Sequence, residues 1–395
     1  MTANLRNNVL KSLARLLMEN KASIIAANLR DVAACPPDDA VIIDRLKVDG
    51  AKVDKMVAAV QNVIAADDPV GKVISSHTRS DGLRIENRQV PFGTILIIFE
   101  ARPDVCIEAA IIAVKAGNKI LLKGGKEARN TNVFLTDLWQ RSLTENGAAP
   151  DLVRYLDISR EETRDLICGK TENFDLVIPR GGESLIDFVL KNSTAPVIVS
   201  GRGNNFLYID READFEMALS IAVDGKKRLS VCNALDKILL HEDLPDLDGK
   251  TRRLIEAFRD QNIEVLGDEH ICSVDATVQP IGDASIWVEE FLSAKIGVGV
   301  VKHLSQAIEM TNKYSGGHSA AVVTENAETA DRFLNEVDCA AVYHNASVRF
   351  TDGGEFGLGA EIAISTQKLH FRGPLGGEHL LTNKWFVFGD GQIRN

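Results

Sequence analysis

The residue best placed to do chemistry is Cys232, in Arg228-Leu229-Ser230-Val231-Cys232-Asn233-Ala234-Leu235, which follows the cations Lys226 and Lys227 and precedes the apolar run Ile238 to Leu240. The thiolate, not the thiol, attacks. Nearby positive charge, and backbone N–H groups at the start of a strand or helix, favour that form. Nucleophilic attack by sulfur is the chemistry this pattern suits. A buried, inert cysteine is the competing reading, and the local residues do not separate the two. A second stretch, Arg180-Gly181-Gly182-Glu183-Ser184, lies between an apolar run and a helical pattern. Two glycines let the backbone approach a phosphate, and a helix start offers N–H groups and partial positive charge. It is not the G-x-G-x-x-G fingerprint, so a tight turn competes with a phosphate cradle.

The elements that must position these groups follow from periodicity. Leu5, Val9, Leu10, Leu13, Leu16 and Leu17 recur at three- and four-residue steps, predicting a helix over 3–19, and a second is expected over 51–66. The cluster Pro36-Pro37-Asp38-Asp39 marks a turn. Around Ser80-Asp81-Gly82 the pattern predicts a hairpin within 72–90. Apolar runs at 94–99, 119–123, 153–156, 175–178 and 196–199 alternate with helical stretches, so a parallel sheet built from βαβ units is expected. Its ligands belong at the carboxyl ends of the strands, where Glu100 to Asp104 and Lys123-Gly124-Gly125-Lys126 fall. A second series of strands and helices runs from about 201 to 375 and contains Cys232. The expected organisation is α/β, with a cofactor domain over 1–200, a catalytic domain over 201–375 and a C-terminal segment over 376–395.

Composition narrows the function. A chain of 395 residues with 45% hydrophobic and 26% charged residues has the make-up of a globular enzyme of two or three domains. A formal net charge of −11 and the lack of a long basic tract argue against nucleic acid as a partner. The six cysteines are scattered, with no C-x-x-C pair and no histidine spacing suited to zinc, so no metal is expected and a reducing, cytoplasmic setting is. No apolar run approaches the roughly twenty residues of a bilayer span, and no signal peptide is evident.

Several motifs occur together in one order: Asp44-Arg45-Leu46, Asp68-Pro69-Val70-Gly71, Glu100-Ala101-Arg102-Pro103, Leu122 to Ala128, Pro179-Arg180-Gly181-Gly182, Ser230 to Ala234, Glu355 to Glu361 and Arg372-Gly373-Pro374. In this the chain resembles the gamma-glutamyl phosphate reductases of the aldehyde dehydrogenase superfamily over nearly its whole length. The resemblance implies a Rossmann-type cofactor domain, an α/β catalytic domain and a small β oligomerisation arm. It implies reduction of L-glutamyl 5-phosphate by NADPH to L-glutamate 5-semialdehyde and phosphate, the second step of proline synthesis from glutamate. A homo-oligomer is expected, with channelling from a glutamate 5-kinase; the 72–90 hairpin and the strand Trp385 to Phe388 are suited to pairing across an interface, an ordinary surface hairpin being the alternative.

Carried over residue by residue, the resemblance makes Cys232 the nucleophile and Asn233 its catalytic neighbour. Arg102 would steady the oxyanion or departing phosphate, with an ion pair to Asp104 or Glu100 as the alternative role. Lys123 would touch the adenosine ribose and Lys126 a 2′-phosphate. Arg180, Gly181, Gly182 and Ser184 would form the dinucleotide loop, Glu290 would hold the nicotinamide ribose, and Asn345 and Arg349 would bind substrate. The hydrolytic relatives need a glutamate near 198–206 to activate water. Here the stretch is Ile-Val-Ser-Gly-Arg-Gly-Asn-Asn-Phe, without a carboxylate, as suits phosphate as the second nucleophile. The same stretch lacks the family's usual histidine and cysteine, and Leu229 replaces a common proline. Another phosphorylating or CoA-type aldehyde dehydrogenase is the alternative within the superfamily. A cofactor-free cysteine acyltransferase using His241 or His318 is the alternative outside it.

Overall fold

The computed structural model describes residues 1–36 and 40–394, so the Pro36 to Asp39 turn lies outside the described residues apart from Pro36. The chain divides into two compact units. One comprises Met1–Ser200, Gly357–Ala363 and Pro374–Asn395, the other Gly201–Phe356 and Ile364–Gly373. Residues 357–363 and 374–375, expected from the sequence to belong to the catalytic domain, thus return to the first unit.

In the first unit the Thr2 side chain accepts the Leu5 N–H and starts helix Ala3–Glu19, whose Val9, Leu10, Leu13, Leu16 and Leu17 stripe is fully buried. Helix Gly50–Ala65 starts in the same way, at Asp49. The unit's parallel sheet has four strands in the order Val153–Tyr155, Lys119–Lys123, Thr94–Phe99 and Leu176–Arg180. Its central strands are apolar on both faces because both faces are covered. The strand expected over 196–199 does not form. A single bridge joins Val197 to Val177, and the ladder stops after it because Pro179, next on the facing strand, has no N–H for the Ile198 carbonyl.

The predicted hairpin is present as Val73–Thr78 against Arg84–Pro91, turning at Gly82 with φ 84°. The C-terminal strand Leu381–Phe388 adds to it, antiparallel, through Leu381 opposite Pro91 to Phe388 opposite Arg84. Pairing of these two segments therefore occurs within one chain. The three-stranded arm still exposes Val73, Ile74, Trp385 and Val387.

The second unit is built on seven parallel strands in the order Gln279–Pro280, Glu264–Gly267, Lys295–Val301, Leu235–His241, Asn205–Ile209, Ser319–Val323 and Ala341–His344. Two buried clusters cover its faces: Leu207, Ile238, Leu254, Phe258 and their neighbours on one side, Phe206, Tyr208, Leu239 and Phe333 on the other. Because every strand runs the same way, the sheet has one amino edge and one carboxyl edge. Cys232 lies just before strand Leu235–His241, at the amino edge.

Candidate active site

Cys232 is partly buried, in a turn closed by the Ala234 N–H donating to the Val231 carbonyl at 3.1 Å. Two residues from the segment read as lacking a base hold that turn. Asn205 aims its side-chain N–H groups at the carbonyls of Gly203 (2.9 Å), Cys232 (2.8 Å) and Ala234 (2.6 Å). A Cβ on Gly203 would lie 1.7 Å from the Cys232 carbonyl oxygen, so only glycine permits this approach. Segment 203–205 thus has a positive role: it is the floor under the Cys232 turn.

The charge around Cys232 differs from the sequence expectation. Lys226 is buried and bonds Asp236 at 2.6 Å, and Lys227 turns to Asp224 at 3.3 Å. A cation that couples electrostatically to Cys232 is Arg349, from 117 positions further along the chain. Burial pulls the Arg349 guanidinium below its ordinary range and the like charge of Arg228 adds to this, while Cys232 and the acids Asp224 and Asp352 act the other way. Asn233 explains how Arg349 gets there. Its side-chain N–H groups donate to the carbonyls of Arg349 (3.0 Å) and Thr351 (3.1 Å), and its side-chain oxygen accepts from the Arg349 guanidinium. The amide expected to act in catalysis is engaged in tying two loops together.

Asn345 is not brought to Cys232. It follows strand Ala341–His344 at the carboxyl edge, with φ 54°, and its side chain accepts the Thr324 N–H at 3.0 Å and donates to the Thr324 carbonyl at 3.1 Å. A left-handed turn residue with its amide so engaged ends the strand. His241 also sits at the carboxyl edge, accepting the Asp243 N–H. His318 is fully buried beside Ser319, and desolvation drives it down to about 4, so it stays neutral at pH 7.

Glu290 lies in the same unit as Cys232 and accepts the Gly203 N–H at 2.9 Å. Sequence reasoning missed what stands behind it. Asp236 and Lys237 are consecutive charged residues at the start of a buried strand, at an irregularity where Asn205 pairs with Leu235 but Phe206 with Lys237. Asp236 accepts the Phe291 N–H at 2.9 Å, and Lys237 donates to the Glu289 carbonyl at 2.8 Å and the Asn204 side-chain oxygen at 2.9 Å. The signal was legible in principle: an acid and a lysine inside an otherwise apolar run need buried partners.

In the first unit the expected cofactor residues all follow carboxyl ends of strands. Lys123 ends its strand, bonds the Gly124 carbonyl at 2.7 Å and is pulled down by burial. Lys126 is exposed at the start of a short 3-10 turn. Arg180 ends strand Leu176–Arg180 and donates to the Ile362 carbonyl at 2.5 Å. Gly182 caps helix Glu183–Asn192 without a side-chain bond, in open space, and Ser184 is exposed in the first turn. The Gly182 N–H donates to Glu100 Oε2 at 3.2 Å. Arg102 lies in the turn before helix Val105–Lys115; of the two acids offered as its partners, Asp104 pairs with Lys52 at 3.0 Å and Glu100 faces Gly182. No group of three or more metal-ligating side chains occurs among the described residues, and none of the described helices is long and apolar enough to cross a membrane.

Comparison with known proteins bears on this arrangement. The aldehyde dehydrogenase family model matches residues 1–271 and 273–359. A gamma-glutamyl phosphate reductase of Clostridium botulinum is 40% identical over 396 residues, covering 100% of this chain and 95% of its own. One from Persephonella marina is 42% identical over 406 residues, covering 100% and 90%. The crystal structure of gamma-glutamyl phosphate reductase from Thermotoga maritima aligns with a TM-score of 0.93 at 39% identity, covering 100% of this chain and 95% of that one. The chain belongs to the aldehyde dehydrogenase family, among its gamma-glutamyl phosphate reductases.

Proposed function

We propose that this chain reduces L-glutamyl 5-phosphate to L-glutamate 5-semialdehyde and phosphate, the second step of proline synthesis from glutamate, through a thioester on Cys232. The observation that carries the reading is full-length similarity to proteins of that name, joined to a cysteine that couples electrostatically to the Arg349 guanidinium. The Cys232 sulfur attacks the acyl carbon, the bond to the phosphate oxygen breaks, and phosphate leaves with its electron pair. Covalent capture splits one hard substitution into two easier steps. Arg349, coupled to Cys232, favours the thiolate, and Arg102 is the proposed partner of the oxyanion or the departing phosphate.

A nicotinamide cofactor goes with membership of the aldehyde dehydrogenase family, and NADPH is the finer reading proposed here; when bound it supplies the hydride that turns the thioester into the thiohemiacetal from which the aldehyde is released. The residues fit such a group. Gly182 leaves open space at a helix start, Lys123 follows a strand, exposed Lys126 suits a 2′-phosphate, and Glu290 is proposed for the nicotinamide ribose. The proposed setting is the cytoplasm, as a homo-oligomer using the exposed arm, with a kinase that makes the acyl phosphate as upstream partner.

The test is the reverse reaction: NADP reduction by L-glutamate 5-semialdehyde with and without phosphate. Dependence on phosphate or arsenate is expected, and activity that persists without either refutes the acyl-phosphate assignment. Cys232→Ala should lower turnover by more than about three orders of magnitude and leave NADPH binding intact. A variant keeping a tenth of the activity would show that another thiol is the nucleophile.

A further inference from the structure

We propose that Lys237 is a positioning residue that holds Glu290 in register with the Cys232 turn, so that the cofactor contact and the nucleophile are set by one buried clamp. The inference rests on the reading of Glu290 as a cofactor contact.

Lys237 is fully buried, yet it is a lysine among the first residues of a central strand. Its environment is built to hold it. It pairs across the sheet with Gly297, where a Cβ would lie 2.9 Å from the lysine Cδ, so the absence of a side chain there makes room for the lysine stem. The Nζ sits 3.7 Å from the centre of the Phe291 ring and donates to the Glu289 carbonyl and to the Asn204 side-chain oxygen. Asn204 is fixed in turn, donating to the carbonyls of Trp287 at 2.6 Å and Tyr314 at 2.7 Å. The neighbouring Asp236 accepts the Phe291 N–H while paired with Lys226.

Segment 289–291 is therefore gripped on both sides of Glu290: at the Glu289 carbonyl by Lys237, and at the Phe291 N–H by Asp236. Glu290 itself reaches the Gly203 N–H, and Gly203 is the residue whose Cα lies against the Cys232 carbonyl. Lys237 Nζ, Asn204, Gly203 and the Cys232 turn form one connected chain of contacts. Burial lowers the lysine to about 7, so the clamp does not require a full charge; a neutral amine still donates to both oxygens. Stability alone would be served as well by an apolar side chain over Gly297, whereas two directed bonds and a ring contact fix the position of one short segment.

The test is a double-mutant cycle on NADPH binding, read by fluorescence titration, with turnover in the reverse reaction measured alongside. Glu290→Gln should raise the NADPH dissociation constant about tenfold, and Lys237→Met should raise it to a similar extent. Because the lysine acts through the glutamate, the double variant should match Glu290→Gln alone within about twofold. Lys237→Gln, which keeps a donor, should recover part of the loss. Alkylation of Cys232 by iodoacetamide at the parent rate reports that the nucleophile turn is folded in each variant. Multiplying losses in the double variant would overturn the proposal, as would normal NADPH binding by Lys237→Met. If Glu290→Gln binds NADPH normally while Lys237→Met does not, the Glu290 reading fails and the lysine acts by another route. Should Lys237→Met not fold, the same cycle run with Lys237→Gln decides between these outcomes.

Discussion

The two parallel sheets present chemistry at opposite edges. In the four-stranded sheet every candidate cofactor residue follows a carboxyl end: Lys123, Lys126, Arg180, Gly181 and Gly182. In the seven-stranded sheet Cys232, the proposed nucleophile, precedes its strand at the amino edge, and the carboxyl edge is occupied by turn-forming Asn345 and by His241. The difference is one of construction. At the first, the candidate groups come in two short runs, 123–126 and 180–184, each within a few residues of a strand end. The second is tied together by side-chain amides reaching carbonyls of distant segments, Asn205 to Cys232 and Asn233 to Arg349.

Glycine substitutions probe that contrast most sharply. Gly203→Ala drives a methyl group into the Cys232 carbonyl and should lower turnover about a hundredfold by displacing the nucleophile by around an ångström. Gly182→Ala meets no protein atom within 4 Å, so its thermal midpoint should stay at the parent value while NADPH affinity falls. Equal losses of stability in the two would erase the distinction. Arg349→Met should slow Cys232 alkylation at neutral pH about tenfold, because the coupled cation is removed. Lys227→Met, whose charge already faces Asp224, should leave that rate unchanged.

The two units should also respond oppositely to pH. Burial, with the charge of Asp104, pushes Glu108 up to about 7, while burial pulls Lys237 down to about 7. Folded Glu108 keeps a proton that the unfolded chain has released, so its contribution to stability falls as pH rises from about 4.5 to 7 and is flat above. Folded Lys237 has lost a proton that the unfolded chain retains, so its contribution rises from about pH 7 towards 10.5. Urea unfolding across this range should show each slope, about 1.4 kcal/mol per pH unit at most, removed by Glu108→Gln and by Lys237→Met respectively. The smallest effect is at the exposed cofactor residue: Lys126→Ala should weaken NADPH about threefold and NADH hardly at all. Equal losses would take Lys126 away from the 2′-phosphate.

The sequence by itself determined the alternation of strands and helices, because apolar runs and three- to four-residue stripes record which faces are buried. It located the hairpin, both α/β series and the cysteine turn. Strand 196–199 stopped at one bridge opposite Pro179, and helix Arg129–Glu145 escaped notice because its buried Leu135, Leu138, Trp139 and Leu143 are diluted by polar residues. Tertiary structure alone decided that Arg349 couples to Cys232. Lys226 and Lys227 are close in sequence but are held by Asp236 and Asp224, while Arg349 arrives on a loop bound by Asn233. Electrostatic coupling depends on distance through space and on which charges are already paired, and neither quantity is written in the order of residues along a chain.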